Sequence, residues 1–535
     1  MRSETIRLYK GVHTWTGLLT GMALFVAFYA GALTLFKAPL NGWAQPPAAQ
    51  VPLTLDEASR LVEQVVATGV TDFTLHLQQH PQHPWPLTWQ PRGEREQHYA
   101  RFDAQGTLET GREQPTAVGE LVDLLHQTAG LVPGDLEIGI TLMGVVSLFY
   151  GLALISGVVV LLPTLVKDFF AVRPGRNRKR FWLDSHNVLG IVSLPFHLVI
   201  MLSALVFAFH DPLYALQDRL IYGGNLQQHW DAGGPLAGLE RGPEPAPMLS
   251  PQQLLVHARQ AAPHFQPHTL TYQHAGKRGA SVIVRGLDER YPQRTVEGGL
   301  LVLVAATGAP LNDSYVPGQG PLWDSLISLF FALHFASYGG HWVDWGYFLL
   351  GLAGAALFYT GNLLWIETRR RRARQAGQQP EQTRGSRMLG ALSVGVCLGC
   401  VSGISLSLAS AKWLHGWNLP SQAWHISAYY VVFLACVGWA LWRGAPRAAI
   451  DLLGLAALST LLIPLASLLA WLWPDCPWWV HRDWASLAVD LVALLGAGLL
   501  AWLARLSARH LRRTAPDGVW TLTTTAPQSQ VEQAR

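Results

Sequence analysis

The chain has 535 residues, 50% of them hydrophobic and 14% charged, with a formal net charge of +4. That balance excludes an ordinary soluble protein and points to a membrane protein, with no nucleic acid expected among its partners. Its four cysteines are too few and too scattered to form a disulfide framework.

Apolar runs of about 20 residues, the length that crosses a ~30 Å hydrocarbon core, fall at 14–36, 138–162, 187–209, 345–366, 388–410, 424–442, 448–472 and 485–504. The first follows a basic start, but it is longer than a signal-peptide core and lacks a small-x-small cleavage site, so it reads as a retained span. Positive charge gathers in alternate connections: Lys167, Arg173, Arg176, Arg178, Lys179 and Arg180 after span two, Arg369–Arg372 and Arg374 after span four, Arg443 and Arg447 after span six, and Arg509, Arg512 and Arg513 after span eight. Positive loops stay cytoplasmic, which predicts both termini on that side of a bacterial inner membrane and two long periplasmic inserts.

The expected division is therefore span one within 1–36, a first insert at 37–137, span two at 138–162, a basic loop at 163–186 and span three at 187–209. A second insert at 210–344, span four at 345–366 and an Arg-rich loop at 367–387 follow, then a four-span extension at 388–505 and a tail at 506–535. Cys397 and Cys400 form a C-x-x-C inside span five, where both read as small packing residues rather than a redox pair.

Spans one and three repeat each other. "HTWTGLLTGMALFVAFYAGAL" from His13 and "HNVLGIVSLPFHLVIMLSALV" from His186 share His-x-x-x-Gly, and a small pair (Ala30-Gly31, Ser203-Ala204) falls 17 residues after each histidine. Spans two and four match as well, each preceded by Leu-His (His126, His334) and ending in Ser/Thr-Gly; His126 precedes Gly144 by 18 residues and His334 precedes Gly351 by 17. The first 366 residues thus read as two copies of one unit: a helix out, a soluble insert, a helix back. In each insert a capped amphipathic helix (54–67 with Thr54, 250–262 with Ser250) precedes strand-like runs, among them the hairpins "HYARFDAQGTLETG" and "GGLLVLVAATGAPLND". The fold class is thus a polytopic α-helical membrane protein of about eight transmembrane helices with two small α+β periplasmic inserts.

This topology puts His13 and His186 at the cytoplasmic face and His126 and His334 at the periplasmic face. A pseudo-twofold axis along the membrane normal would set the members of each pair opposite one another, as two bis-histidine haems, one per leaflet, require. An interfacial histidine alone is more often a snorkelling group; four in register across a repeat point to ligation. Gly17, Gly190, Gly130 and Gly339 would leave room for a flat macrocycle, and Arg7, Lys10, Lys179 and Arg180 are candidates to meet haem propionates. His197, 11 residues after His186, is a reserve ligand or a quinone or propionate contact, although the matching position in span one is Leu24.

The H-x-W-x-G of span one, the helix-plus-strands insert, Leu-His before span two, "WLDSHNVLG" in span three and "ALHFASYGG" before span four together resemble the PepSY-associated transmembrane (PepSY_TM) family over about residues 1–370. The likeness extends to its PiuB-like and FoxB-like ferric-siderophore reductases. It implies PepSY-like inserts, two haem b groups held by His13, His186, His126 and His334, and transfer of electrons to a ferric siderophore or other ferric chelate in the periplasm, releasing ferrous iron. No G-x-G-x-x-G of a flavin or nicotinamide site occurs in the cytoplasmic loops, so the donor would be a separate cytoplasmic reductase or quinol. Neither insert shows a basic cluster for an anionic siderophore.

Residues 388–505 depart from the four-span pattern and carry His415, His425 and His481 beside Trp-rich turns. They read either as membrane anchoring or as the wall of a substrate or quinol site. The competing function for the whole chain is non-enzymatic: a membrane-anchored regulator or assembly factor for a periplasmic partner, with histidines that only pack.

Overall fold

The computed structural model describes residues 3–511 and Trp520, apart from 48–52, 80–83, 95, 114–115, 133–134, 169–177, 234–235, 237–238, 296, 376–382, 415–416 and 418–420. In chain order it runs α1 (Ser3–Thr34), α2 (Lys37–Ala44), α3 (Leu55–Ala67), β1 (Phe73–His76), β2 (Leu87–Trp89), β3 (Gln97–Phe102), β4 (Leu108–Glu113), α4 (Val118–Thr128), α5 (Leu136–Leu161), α6 (Leu165–Asp168), α7 (Arg178–Val192) and α8 (Leu194–Gln217). Then come α9 (Leu226–Gly233), α10 (Pro251–Ala261), β5 (Gln266–Gln273), β6 (Ser281–Leu287), β7 (Gly299–Val304), β8 (Pro310–Asn312), α11 (Leu322–Phe335), α12 (His341–Gln375), α13 (Arg384–Trp413), α14 (Ser421–Arg443), α15 (Ala445–Leu472) and α16 (Trp484–Leu511). Two compact units divide the chain: Met1–Pro46, Thr116–Leu202 and Phe348–Arg535 form one, Pro47–Pro115 and Ser203–Tyr347 the other.

Eight helices among the described residues are long and apolar enough to cross a membrane, where a helix satisfies every backbone group internally. Span three differs from the expected 187–209: the spanning helix runs Leu194–Tyr222, and His186 lies on the separate α7 before it. Pro195 explains the break, since it has no N–H to give the carbonyl of Ile191 and its ring clashes with that carbonyl.

In the first unit α1 packs against α5 and α4, and α13 against α14 and α15. Helix α13 is the most enclosed span, 78% of its apolar window being buried against 11% for α16. The cause is a stripe of glycines four residues apart. A Cβ on Gly395 would lie 2.9 Å from Val437 Cα, on Gly399 3.0 Å from Cys436 Cβ, and on Gly403 2.8 Å from the Tyr429 ring, so only glycine lets α14 approach this closely. Cys397 and Cys400 on the same helix are free and buried, so they serve the packing.

The second unit holds the strands. The two inserts, expected as separate α+β domains, share one eight-stranded antiparallel sheet of order β4-β3-β2-β1-β5-β6-β7-β8. The seam is β1 against β5, with Thr74 opposite Thr271 and Leu75 opposite Leu270. Alternation sends Phe73, Leu75, Leu87, Ala100, Leu270, Tyr272, Val282, Val284, Leu301 and Leu303 to one face, where they form a single core with α3 and α10. Both helices begin in capping boxes, Thr54 with Glu57 and Ser250 with Gln253, and both expected hairpins form, β3–β4 and β7–β8.

Candidate functional site

The repeat-matched histidines are seated by repeat-matched contacts. On α1 the Nδ1–H of His13 donates to the Ala153 carbonyl of α5 at 2.8 Å; that carbonyl also lies 3.1 Å from Ser156 Oγ, whose shorter hydrogen bond, 2.5 Å, goes to the Leu152 carbonyl. On α7 the Nδ1 of His186 lies 3.2 Å from the Leu357 carbonyl of α12 and 3.2 Å from Thr360 Oγ1, which itself donates to that carbonyl at 2.8 Å. Gly157 and Gly361 complete the two seats: a Cβ there would stand 2.9 Å from His13 Cε1 and 3.5 Å from His186 Cε1. Each seat is thus a carbonyl, a hydroxyl three residues on and a glycine four residues on. The Ser/Thr-Gly that ends spans two and four is where the histidine rings lie.

A carbonyl carries no proton, so in the neutral imidazoles of His13 and His186 the proton sits on Nδ1 and the lone pair on Nε2. That is the arrangement of a histidine prepared to bind a metal, its other ring nitrogen held by a backbone carbonyl. The two rings have centroids 6.0 Å apart and cross at 68°. That separation is compatible with two histidines holding one haem group in common. Two protein ligands are too few for a bare ion, and among the described residues no cluster of three or more His, Cys, Asp or Glu is placed to hold one. A haem would bring four donors of its own, so two histidines would be enough to hold it. A Cβ on Gly17 would meet nothing within 4 Å, and one on Gly190 only Leu357 Cδ1 at 3.7 Å, which leaves space beside the pair. Arg7 and Arg180 are exposed, and Arg180 stands 4.0 Å from Asp184.

His126 and His334 end α4 and α11, in the first and second unit respectively. The Nδ1–H of His126 donates to the Ala27 carbonyl of α1 at 2.9 Å, and a Cβ on Gly31 would come within 2.6 Å of that nitrogen. His334 Nδ1 is 2.6 Å from Ser203 Oγ of α8. The small pairs at Ala30-Gly31 and Ser203-Ala204 are therefore the places where the second set of histidines docks. Both helices stop the same way, on an alanine in the left-handed region, Ala129 at φ 49° and Ala336 at φ 56°. Such a residue without glycine's freedom costs on the order of 1 kcal/mol, and the same turn in both copies marks a geometry the surroundings enforce.

His197 is fully buried on α8. Its Nδ1 is 2.5 Å from Tyr150 Oη, Phe28, Phe196 and Phe358 surround the ring, and Nε2 is buried with no hydrogen-bond partner among the described residues. A buried orphan nitrogen is unusual and calls for a missing partner. Of the three histidines in the extension, His415 lies outside the described residues. His425 is buried with no partner for Nδ1 among the described residues, and His481 is buried with Nε2 donating to the Gln45 carbonyl at 2.8 Å.

Ala153, Ser156, Gly157, Leu357, Thr360 and Gly361 were missed as site residues by the sequence reading, although their motif was visible as an alignment mark. No curated protein matches the chain. Residues 11–368, more than half of the chain, match the PepSY-associated TM region, PepSY_TM, and the chain belongs to that family of membrane proteins.

Proposed function

We propose that this protein is a di-haem b-type oxidoreductase of a bacterial inner membrane, passing electrons from a cytoplasmic reductase or quinol to a ferric siderophore or other ferric chelate on the periplasmic side. The observation that carries the reading is the repeated seating of His13 and His186, with Nδ1 on a backbone carbonyl in each copy and ring centroids 6.0 Å apart. Bound haem would supply one-electron transfer. The chain's own part is to hold those imidazoles in one tautomer and orientation. His13 and His186 would hold an inner haem, and the sequence repeat offers His126 and His334 for an outer one. Gly17 and Gly190 leave space beside the inner pair, and the exposed Arg7 and Arg180 are the candidates to meet propionates. The ferric chelate as acceptor rests on the family resemblance.

Purified protein is expected to be red, with a Soret band, sharp alpha and beta bands on dithionite reduction, and two haems per chain by pyridine haemochrome. Replacing His13 or His186 should remove the inner haem, and replacing His126 or His334 the outer. Colourless protein from haem-replete cells would sink this reading and leave the non-enzymatic one.

A further inference from the structure

We infer that the C-terminal four-helix extension is a positioning element for His126, with Tyr430 acting directly and Lys412, Asp490 and Trp43 acting through α2. Helix α4 has only 11 residues, too few to be stable by itself, and both of its ends are held by or through the extension. At its far end the Gly130 carbonyl, one residue past the Ala129 turn, accepts a hydrogen bond from Tyr430 Oη of α14 at 3.1 Å. Along its length Leu121, Val122, Leu125 and Ala129 share a core with Cys400 and Ile404 of α13 and Tyr429 of α14.

At its near end α4 is gripped by α2. The Gly119 N–H donates to Asn41 Oδ1 at 2.8 Å, and Lys37 Nζ lies 3.3 Å from Asp123 and 3.5 Å from Glu120. Helix α2 has only eight residues and no side-chain cap, so it needs an anchor of its own. That anchor is Trp43, fully buried in the extension. Its indole N–H donates to Asp490 Oδ1 at 2.8 Å, and its ring lies 3.9 Å from Lys412 Nζ. Lys412 donates to Ser467 Oγ at 2.9 Å and to the Trp479 carbonyl at 3.1 Å, while Ser467 Oγ donates to Asp490 at 3.1 Å. Trp479 Nε1 returns to the Trp43 carbonyl at 3.2 Å.

Ionisable groups inside a membrane bundle are costly and are kept where they do something specific. Here Lys412 and Asp490 both converge on one indole. Membrane anchoring does not describe Trp43 and Trp479, which are 0% and 8% exposed, whereas Trp471 and Trp484 are 69% and 87% exposed. His126 sits between the two clamped ends of α4, so the clamp fixes the helix that carries its ring to the Ala27 carbonyl of α1.

The consequence for an outer haem rests on the ligand role proposed for His126; the placement of α4 does not. The test is hydrogen exchange on the full-length protein in detergent, for Tyr430→Phe and, independently, Lys412→Met. The one hydrogen bond lost in Tyr430→Phe should speed exchange across 121–129 about three- to tenfold; Lys412→Met, which loses two, should do so at least as much, and both should leave 322–335 on α11 unchanged. In haem-loaded protein one low-spin electron-paramagnetic signal should shift and the other stay. Unchanged exchange of α4 in both variants overturns the clamp. Faster exchange with both haem signals unmoved overturns the positioning of His126. Faster exchange in a protein that never binds haem supports the clamp and removes the ligand role instead.

Discussion

Gly157 stands behind His13: a Cβ added to that glycine would lie 2.9 Å from the ring's Cε1, whereas a Cβ on Gly17, one turn after His13 on its own helix, would meet nothing within 4 Å. The two glycines therefore make separable predictions. Gly157→Leu should push His13 off the Ala153 carbonyl, lowering both stability and haem content. Gly17→Leu should leave the unfolding midpoint nearly unchanged, as expected of a side chain entering open space, yet reduce haem from two per chain toward one by filling the volume of the macrocycle. Haem stoichiometry and thermal unfolding on the same preparations decide it. Full haem content in Gly17→Leu would mean that the space faces lipid.

The Tyr150–His197 pair makes a second prediction. Tyr150→Phe removes the only hydrogen bond the His197 ring makes among those described and leaves both of its nitrogens buried and unsatisfied. The cost should be about 1–2 kcal/mol, in the range of polar contacts within membrane bundles. Adding His197→Phe should recover most of it, since an apolar pair in an apolar pocket leaves nothing unpaired. A double variant no more stable than the single, together with loss of one haem, would instead make His197 an iron ligand and displace one of the four chosen.

The eight spans were legible because apolar length is a one-dimensional property, and the four histidines because the repeat put them in register. The break in span three was not legible: Pro195 stands in the sequence, but the apolar run continues through it and hides it. The joined sheet was not legible: Thr74 and Thr271 are 197 residues apart, and alternation fixes which face a strand buries without naming its neighbour. Nor was the role of Trp43 or Lys412. A tryptophan near a span end looks the same in sequence whether it meets lipid or a buried lysine. The Ser/Thr-Gly seats fall between these cases, visible as a pattern while their chemistry depended on which helix lay opposite.

The shared sheet predicts that damage in one insert spreads to the other. Leu270 on β5 is fully buried opposite Leu75 on β1, and the neighbouring Tyr272 ring stacks on Phe73 at 4.8 Å. Leu270→Ala should cost about 2–5 kcal/mol. Amide exchange should rise in β1 and β2 as much as in β5 and β6, because the core they share opens as one unit. A rise confined to the second insert would show that the two halves of the sheet are energetically independent.

His481 predicts an acid sensitivity outside the membrane spans. Burial holds its imidazole below the ordinary value of 6.5, and the hydrogen bond to the Gln45 carbonyl opposes that only in part. Lys412, Asp483 and Asp490 also face it, Lys412 working in the same direction as burial and the two carboxylates against it. As pH falls through about 6.5 the unfolded chain takes up a proton at this position while the native ring stays neutral. The unfolded state then binds more protons, so stability declines with falling pH until the native value is reached, with a limiting slope of about 1.4 kcal/mol per pH unit for one group. The hydrogen bond at stake fastens the α15–α16 turn to the end of α2. In detergent the wild-type unfolding midpoint should therefore drop more between pH 7.5 and pH 5.5 than that of His481→Gln, whose amide can still donate to Gln45 but cannot titrate. Exchange at the start of α16 should follow the same difference. Parallel pH profiles for the two proteins would mean that His481 takes no part in the acid sensitivity of the fold.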